Sequence, residues 1–460
     1  MTKLSTSHVR RRNRPFLAAA IAAVVLLGVP LTGCGELLEV NDPDIVTPDN
    51  LTDELGLETL RNGALSNFQE AWSADEASDN LTIFSGLMSD EWFHSGTFPT
   101  RQEADRREFQ LTNGTMEGMF FELQRARADL EKAAIRIERS VADPNADARI
   151  PEMQTFAGFT YVGFGENFCN GVPFSETLDS ILYGDPLTNA EMFTKAVTFF
   201  DAALAHPAVD ADVANLARIG KGRALLNLDQ AGAAATAVAG VPDDFVYYTY
   251  HSNVESKTRL GVYHLNHEAE RWSVADSEGG NGLPFRSAND PRVPWSDPGD
   301  TGFDSETPLY LLMLFQDRTD RFPLGTGVEA RLIEAEADYQ AGGSNWITIL
   351  NGLRQDFATL APALYPDNTP AGALADTIVP ATAAEQEDLI FYERAFWLFA
   401  TGHRLGDLRR LIRQYGRGTE TVFPTGAYHK TGSYATDVNI PVPQPEENNP
   451  NFVSCSDRNP

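Results

Sequence analysis

Apolar residues recur every three or four positions in six stretches of the chain, the spacing that places side chains on one face of an α-helix. A threonine at position 188 with a glutamate three residues later adds a capping box, which starts a helix by satisfying two free backbone amides. The pattern therefore predicts at least six amphipathic helices. Their stripes are Leu123, Ala126, Leu130, Ala133 and Ile137; Phe193, Ala196, Phe200 and Leu204; Val213, Ala217, Gly220, Ala224 and Leu228; Val328, Leu332, Ala335 and Tyr339; Leu389, Tyr392, Phe396 and Phe399; and Leu405, Leu408, Ile412 and Tyr415.

Short breaks separate some of these helices into pairs, as at His206 and Pro207. Small residues at Ala217, Gly220 and Ala224 allow a partner helix to come close. Two helices of this length joined by a tight turn are the unit of tetratricopeptide packing, although no regular period of roughly 34 residues is visible. We therefore predict a mainly α fold, a degenerate tetratricopeptide-like helical-repeat scaffold with long irregular loops and a few short strands.

The helical pattern is interrupted between about residues 241 and 321, where Gly, Pro, Ser, Asn and Asp are frequent and aromatic residues lie among them. Only short alternating runs, such as residues 245–250, predict strands there. A second irregular stretch with aromatic residues covers 85–110. Loop-rich segments of this length within a compact domain commonly carry function.

The N-terminus has the pattern of an export signal. Lys3, Arg14 and the arginines at 10–12 precede an uncharged apolar run of about 14 residues, shorter than the roughly 20 that span a bilayer. The run ends in Leu-Thr-Gly-Cys at residues 31–34, which resembles the bacterial lipobox. We predict a signal peptide over 1–33 and a mature lipoprotein that begins at Cys34; an ordinary signal with a chance cysteine is the alternative. Sec and Tat export are not distinguished.

Charge and length limit what the mature chain binds and how it is organised. The full chain has 36 basic and 65 acidic residues, and removal of a signal with five basic residues leaves a net charge of −34. A protein with this net negative charge repels the phosphate backbone of nucleic acids, so no nucleic-acid partner is predicted. The apolar fraction suffices for a large core, and we predict a single domain over 34–460.

Once Cys34 carries lipid, two thiols remain, Cys169 and Cys455. An even pair in an oxidising compartment predicts a disulfide, with two unpaired thiols as the alternative. The bond would tie the C-terminal tail to the middle of the chain.

Sequence motifs for catalysis are absent or poorly matched. The chain has neither a Gly-x-Ser-x-Gly elbow nor a Walker phosphate loop. His264, His267 and Glu268 stand in an order that fits no zinc-hydrolase helix, so these residues predict a solvated pair and no metal site. Carboxylates are too numerous for any pair to be selected as catalytic. No cofactor is predicted.

Aromatic side chains in the irregular stretches are the candidates for ligand contact. Flat rings among polar loops stack on sugars or extended peptides, while nearby amides and carboxylates bind hydroxyl groups. Burial in the core is the more frequent fate of any single ring. The candidate ligand-binding residues are Trp92, Phe93, His94, Trp272, Phe285 and Trp295, whereas Trp397 and Phe399 are expected in the core.

Several strings, in order along the chain, resemble the SusD/RagB family of outer-membrane lipoproteins. They are the segments 37–51, 329–337, 350–354, 393–397, 402–410, 439–443 and 446–451. The strongest is Glu-Arg-Ala-Phe-Trp at 393–397 followed by Gly-His-Arg-Leu-Gly-Asp-Leu-Arg-Arg at 402–410. Its residues Glu393, Arg394, His403, Arg404 and Asp407 are predicted to form a structural ion network, because buried charge is tolerated only when it is paired.

The resemblance implies a non-enzymatic, surface-exposed lipoprotein of the outer membrane. Such proteins capture a nutrient and deliver it to a SusC-like TonB-dependent transporter, so an oligosaccharide or peptide ligand and a binding-and-closure mechanism are expected. Gly35 is not the aspartate associated with inner-membrane retention. A lipidated secreted hydrolase and a helical-repeat adaptor of outer-membrane assembly remain as alternatives. No sugar-binding site carries over residue by residue.

Overall fold

Helix packing organises the part of the chain that the structure describes. The computed structural model describes residues 52–74, 79–176, 178, 180–455 and 458–459, so the predicted signal peptide and Cys34 lie outside the described residues. Within these ranges lie fifteen α-helices and eight short β-strands. None of the helices in the same ranges has both the length and the apolar character needed to cross a bilayer.

Eight helices pack mainly against their neighbours in chain order. This succession of neighbouring helices is the tetratricopeptide-like scaffold predicted from the sequence, and the fold class is confirmed. The helices of the succession are α1 (Glu54–Trp72), α4 (Gly114–Ser140), α5 (Arg149–Asn167), α6 (Asn189–Ala205), α7 (Ala211–Asn227), α8 (Ala231–Val238), α10 (Gly327–Gln340) and α11 (Trp346–Gln355).

Seven further helices and the short strands lie outside this succession. The remaining helices are α2 (Leu81–Met88), α3 (Pro99–Asp105), α9 (Gly261–Tyr263), α12 (Phe357–Leu364), α13 (Ala383–Trp397), α14 (Arg404–Arg413) and α15 (Thr419–Val422). The strands form four antiparallel pairs: β1 (Trp92–His94) with β5 (Trp272–Val274), β2 (Val172–Pro173) with β3 (Pro186–Leu187), β4 (Val246–Thr249) with β8 (Phe322–Thr326), and β6 (Trp295–Ser296) with β7 (Leu311–Leu312).

The predicted apolar stripes form the helical core. All five stripe residues of α4 are at most 2% exposed, and the predicted capping box at Thr188 and Glu191 is present at the start of α6. Three stripes extend too far: α7 ends at Asn227, α13 at Trp397 and α14 at Arg413, so Leu228, Phe399 and Tyr415 lie beyond their helices, although Phe399 is fully buried. Periodicity therefore located the buried faces more accurately than the helix ends.

Close approach between α6 and α7 depends on a glycine. A Cβ atom at Gly220 would lie 2.4 Å from the ring of Phe200 and 2.9 Å from that of Phe159. Because real Cβ contacts are never so short, a larger residue here would push the two helices apart. The small-residue positions predicted from the sequence thus have a packing reason.

The C-terminal tail returns to the end of α5. Cys169 and Cys455 form a disulfide, and Ile440 pairs with this region by accepting from Cys169 N at 3.0 Å and donating to Asn167 O at 2.8 Å. Cys169 is fully buried. The tail is therefore fixed to the middle of the chain both covalently and by backbone hydrogen bonds.

Candidate ligand-binding site

Four of the six aromatic side chains predicted to contact ligand lie in the core. Trp92, His94 and Trp272 belong to the β1 and β5 pair and are fully buried. Phe285 is also fully buried, against Phe396 and Phe399. In this structure none of the four rings is accessible to a ligand, so their predicted contact role is wrong. Their burial instead stabilises the fold, because it removes apolar surface from water.

The other two predicted residues lie around one cavity of about 480 Å³, which we call the loop cavity. Because successive side chains of a strand point to opposite faces, Phe93 turns away from its buried neighbours and lines this cavity. Trp295 packs against the lining residue Tyr310. The loop cavity is lined by Phe93, Asp276, Glu278, Arg286, Glu306, Thr307, Pro308, Tyr310, His429 and Lys430.

Tyr310 is the centre of the aromatic part of the loop cavity. Its ring lies 6.4 Å from that of Phe93 and 5.7 Å from that of Trp295, both edge to face. The guanidinium of Arg286 lies 3.5 Å from the centre of the Tyr310 ring, a cation–π contact. The indole of Trp295 donates a hydrogen bond to Arg286 O at 3.0 Å, which fixes this cluster.

Two phenyl rings that the sequence analysis did not select are exposed on adjoining loops. Phe98 is 44% and Phe303 51% exposed, and the guanidinium of Arg271 lies between them, 4.4 Å and 3.8 Å from the two ring centres. Phe303 lies three residues before Glu306, which lines the loop cavity together with Thr307, Pro308 and Tyr310. These rings, unlike the tryptophans of β1 and β5, are available for stacking.

Ionic contacts join the loops around the cavity. Lys430 Nζ lies 2.7 Å from Asp304 Oδ2 and donates to Gly96 O at 2.6 Å. Burial raises the pKa of Asp304, but hydrogen bonds from Lys430 and Thr307 outweigh it and hold that pKa below the usual range. The carboxylate therefore stays charged and keeps the 95–98, 303–307 and 428–430 segments together.

A buried acid cluster supports the wall formed by His429. The His429 Nδ1 atom lies 3.5 Å from Glu278 Oε1 and 3.9 Å from Asp105 Oδ2, and Tyr428 donates to Asp105 at 2.6 Å. Burial raises the pKa of Asp105 to about 7. Burial lowers the pKa of His429, but its contacts with Glu278 and Asp105 outweigh this and raise it. These contacts fix the position of His429 in the wall of the loop cavity.

The family-like signature residues lie in the interior and are ion-paired. Glu393 contacts both Arg292 and Arg354 at 2.6 Å, and Arg404 contacts Asp90 at 2.5 Å. The five signature residues, Glu393, Arg394, His403, Arg404 and Asp407, are all buried. None lines the loop cavity.

The central part of this network bridges α10, α13 and α14. Asp407 accepts from Arg394 at 2.8 Å and from Arg410 at 2.8 Å, and Glu336 also binds Arg410. His403 Nε2 lies 3.1 Å from Glu329. These contacts are those of a structural network that holds three helices together.

The described residues offer no arrangement for a metal ion. No group of three or more His, Cys, Asp or Glu side chains in the described ranges is placed to hold one. His264 contacts Glu268 at 2.8 Å, and His267 donates to Leu312 O at 2.7 Å. Both histidines thus have protein partners.

Solved structures share this fold, although no protein-family model and no curated protein matches the chain. A SusD-like carbohydrate-binding protein from Bacteroides fragilis has 16% identity and a TM-score of 0.60, over 88% of this chain and 99% of its own. Surface glycan-binding protein A from Bacteroides uniformis has 14% identity and a TM-score of 0.62, over 86% and 99%. A laminarin-binding SusD-like protein has 13% identity and a TM-score of 0.61, over 88% and 99%.

At these identities the similarity shows the fold. The chain has the SusD-like fold, which is the fold that the sequence motifs had led us to expect.

Proposed function

We propose that this protein is a carbohydrate-binding lipoprotein that captures an oligosaccharide at the loop cavity without cleaving it. Support comes from the SusD-like fold, whose solved examples include carbohydrate-binding, glycan-binding and laminarin-binding proteins. Carbohydrate is preferred to peptide because these examples bind glycans. The family-like motifs are consistent with this role.

One observation carries the assignment of the site: two exposed phenyl rings lie on loops that Lys430, a residue of the loop cavity, joins through Asp304 and Gly96. The half-exposed ring of Phe303 supplies an apolar face, and Thr307, Glu306 and Arg286 in the loop cavity supply donors and acceptors. Sugar rings are recognised by this combination, since their C–H faces stack while their hydroxyl groups hydrogen-bond.

Binding measured by calorimetry against a panel of neutral and acidic oligosaccharides tests the proposal. Phe303→Ala is expected to weaken binding roughly tenfold, because stacking of one ring contributes about 0.5–1.5 kcal/mol beyond its area. Tyr250→Ala is the matched control, since Tyr250 is 68% exposed but lies at a different cavity. Failure of every oligosaccharide to bind, or equal binding by Phe303→Ala and the unaltered protein, would contradict the proposal.

Delivery to a SusC-like TonB-dependent transporter and anchoring in the outer membrane through lipid on Cys34 complete the proposed role. Both rest on the lipobox and the family-like strings of the sequence. Pull-down of the lipidated protein from its native membrane tests the transporter contact: a TonB-dependent receptor is expected as the main partner. Recovery of barrel-assembly proteins in its place would favour an assembly adaptor.

A further inference from the structure

Two arginine side chains next to the proposed carbohydrate site lack an acidic partner. Within the described part of the chain, neither Arg286 nor Arg271 forms an ion pair, and each has a buried nitrogen without a hydrogen bond: Nε of Arg286 and Nη1 of Arg271. Burial and then the neighbouring Arg101 lower the pKa of Arg271, and the negative charge of Asp79, which is itself paired with Arg101, opposes this without reversing it.

Unbalanced arginines are unexpected in a chain with 65 acidic and 36 basic residues. Many interior arginines are closely paired, as Arg404 is with Asp90 and Arg410 with Glu336, whereas the half-buried Arg413 bonds only to the amide of Asn227. Surface arginines are paired as well: Arg321 binds Asp367 at 2.8 Å. A half-buried guanidinium that has lost water without gaining a carboxylate is costly, unless a ligand supplies the missing charge.

Stacking orients Arg286 for such a ligand. The ring of Tyr310 covers a face of the guanidinium, 3.5 Å away, and the ring of Trp295 lies 5.5 Å from it. Stacking leaves the N–H groups in the plane of the guanidinium, where their fork matches the two oxygens of a carboxylate. Arg286 lines the loop cavity, so a ligand there can reach it.

Most carboxylates of the cavity wall are already engaged by other groups. Asp276 accepts three hydrogen bonds through one oxygen, from the backbone of Arg286 and from the backbone and hydroxyl of Ser287. Glu278 accepts from Tyr434 and lies near His429. Glu306 is exposed, so water screens its repulsion of an anion.

We propose that the oligosaccharide is acidic, and that a carboxylate of one of its sugars binds Arg286 in the loop cavity. Arg271, stacked between Phe98 and Phe303, is the second cation and contacts a further acidic unit of the same chain. This inference rests on the proposed carbohydrate-binding function and names its ligand class. A peptide carboxylate has the same chemistry and is an outcome of the test below.

The experiment compares ligands that differ only in charge. Calorimetry measures binding of an oligogalacturonate, an oligomannuronate, their carboxyl-reduced neutral forms, a laminarin oligosaccharide and an acidic peptide, each to the full-length mature protein. The variants are Arg286→Gln, Arg286→Lys and Arg271→Gln. Arg321→Gln is the matched control, because Arg321 also stacks on a tyrosine but lies elsewhere and is ion-paired. Thermal melting of each variant verifies that it is folded.

At least one uronate oligosaccharide is expected to bind roughly tenfold or more tightly than its carboxyl-reduced form, as a charged hydrogen bond implies. Arg286→Gln should remove this preference, Arg286→Lys should keep part of it, and Arg321→Gln should leave it unchanged. Arg271→Gln should reduce affinity for the longer uronates. The preference of the unaltered protein should fall as NaCl is raised.

Different failures have different meanings. If neutral and acidic oligosaccharides bind equally, or if folded Arg286→Gln keeps the preference, the acidic ligand class is wrong and the carbohydrate-binding function stands. If the acidic peptide binds and no oligosaccharide does, both the inference and the proposed function are wrong. Absence of binding by every probe likewise overturns both.

Discussion

Replacement of Asp407 by asparagine tests whether the family-like signature holds the fold. Asp407 is 4% exposed and accepts hydrogen bonds from Arg394 Nε at 2.8 Å, Arg394 Nη2 at 3.0 Å and Arg410 Nη2 at 2.8 Å. Asparagine keeps the size of the side chain but removes the negative charge. It leaves Arg394 with its nearest remaining carboxylate, Glu336, at 3.7 Å.

The expected loss follows from burial. Removal of one partner of a buried ion pair destabilises by about 3–5 kcal/mol, because the remaining charge stays buried without compensation. A matched pair on the surface provides the control: Asp388 contacts Arg417 at 2.9 Å but is 65% exposed. Asp388→Asn should therefore change the free energy of unfolding by less than about 1 kcal/mol.

Urea unfolding followed by circular dichroism gives the free energy of unfolding of the three proteins at neutral pH. The pH dependence adds a second readout. Burial raises the pKa of Asp407, but the arginine contacts outweigh it and leave that pKa below its ordinary value of 3.8. A depressed pKa contributes stability above the ordinary value and loses it as the pH falls toward the folded-state value. The advantage of the unaltered protein over Asp407→Asn should thus shrink below about pH 4.

Equal stability of Asp407→Asn and the unaltered protein at neutral pH would refute this reasoning. The signature residues would then need a functional explanation. A loss as large in Asp388→Asn would also contradict it, because burial would not be what distinguishes the two sites.

Three further changes have defined outcomes. Burial raises the pKa of Glu91 to about 8, so the native state favours the protonated carboxyl and the protein loses stability as the pH rises from 4.5 to 8. Glu91→Gln, which keeps an oxygen to accept from Ala400 N, should be more stable than the unaltered protein by about 3–5 kcal/mol at pH 9 and equal to it near pH 4. Equal melting temperatures of the two proteins at both pH values would contradict this. Cys455→Ser should lower the free energy of unfolding by about 2–5 kcal/mol, because it removes the disulfide with Cys169. A reductant should lower the free energy of unfolding of the unaltered protein to the same value. If neither has an effect, the disulfide does not contribute to stability. Cys34→Ser should abolish incorporation of labelled fatty acid and release the protein from the membrane fraction, whereas continued labelling would place the lipid elsewhere.

Much of the helical scaffold was predictable because helix periodicity is a local signal. The stripe of α4 and the capping box of α6 depend on residues a few positions apart, and both are present in the structure. The burial of Trp92 and Trp272 depends instead on tertiary packing, because other parts of the chain cover both faces of the β1 and β5 pair. Strands of three residues that are buried throughout have no alternation of polar and apolar residues to indicate this, so accessible and buried rings were not distinguished.

The charged part of the loop cavity was beyond prediction for a similar reason. Arg286 and Lys430 lie far apart in the chain, and only tertiary packing places them around one cavity. The absence of an acidic partner for Arg286 is also a tertiary property, since acidic residues are abundant along the sequence. Eight of the ten residues that line the loop cavity lie in residues 85–110 and 241–321, the segments selected from the sequence as irregular and rich in aromatic residues; His429 and Lys430 lie outside them.

A crystal structure of the protein with a bound oligosaccharide tests the central claim most directly. We expect a sugar ring to lie against Phe303 and sugar oxygens to lie within hydrogen-bonding distance of Thr307 or Arg286 in the loop cavity. An oligosaccharide bound at the separate cavity beside Tyr248 and Tyr250, with the loop cavity free of sugar, would contradict it.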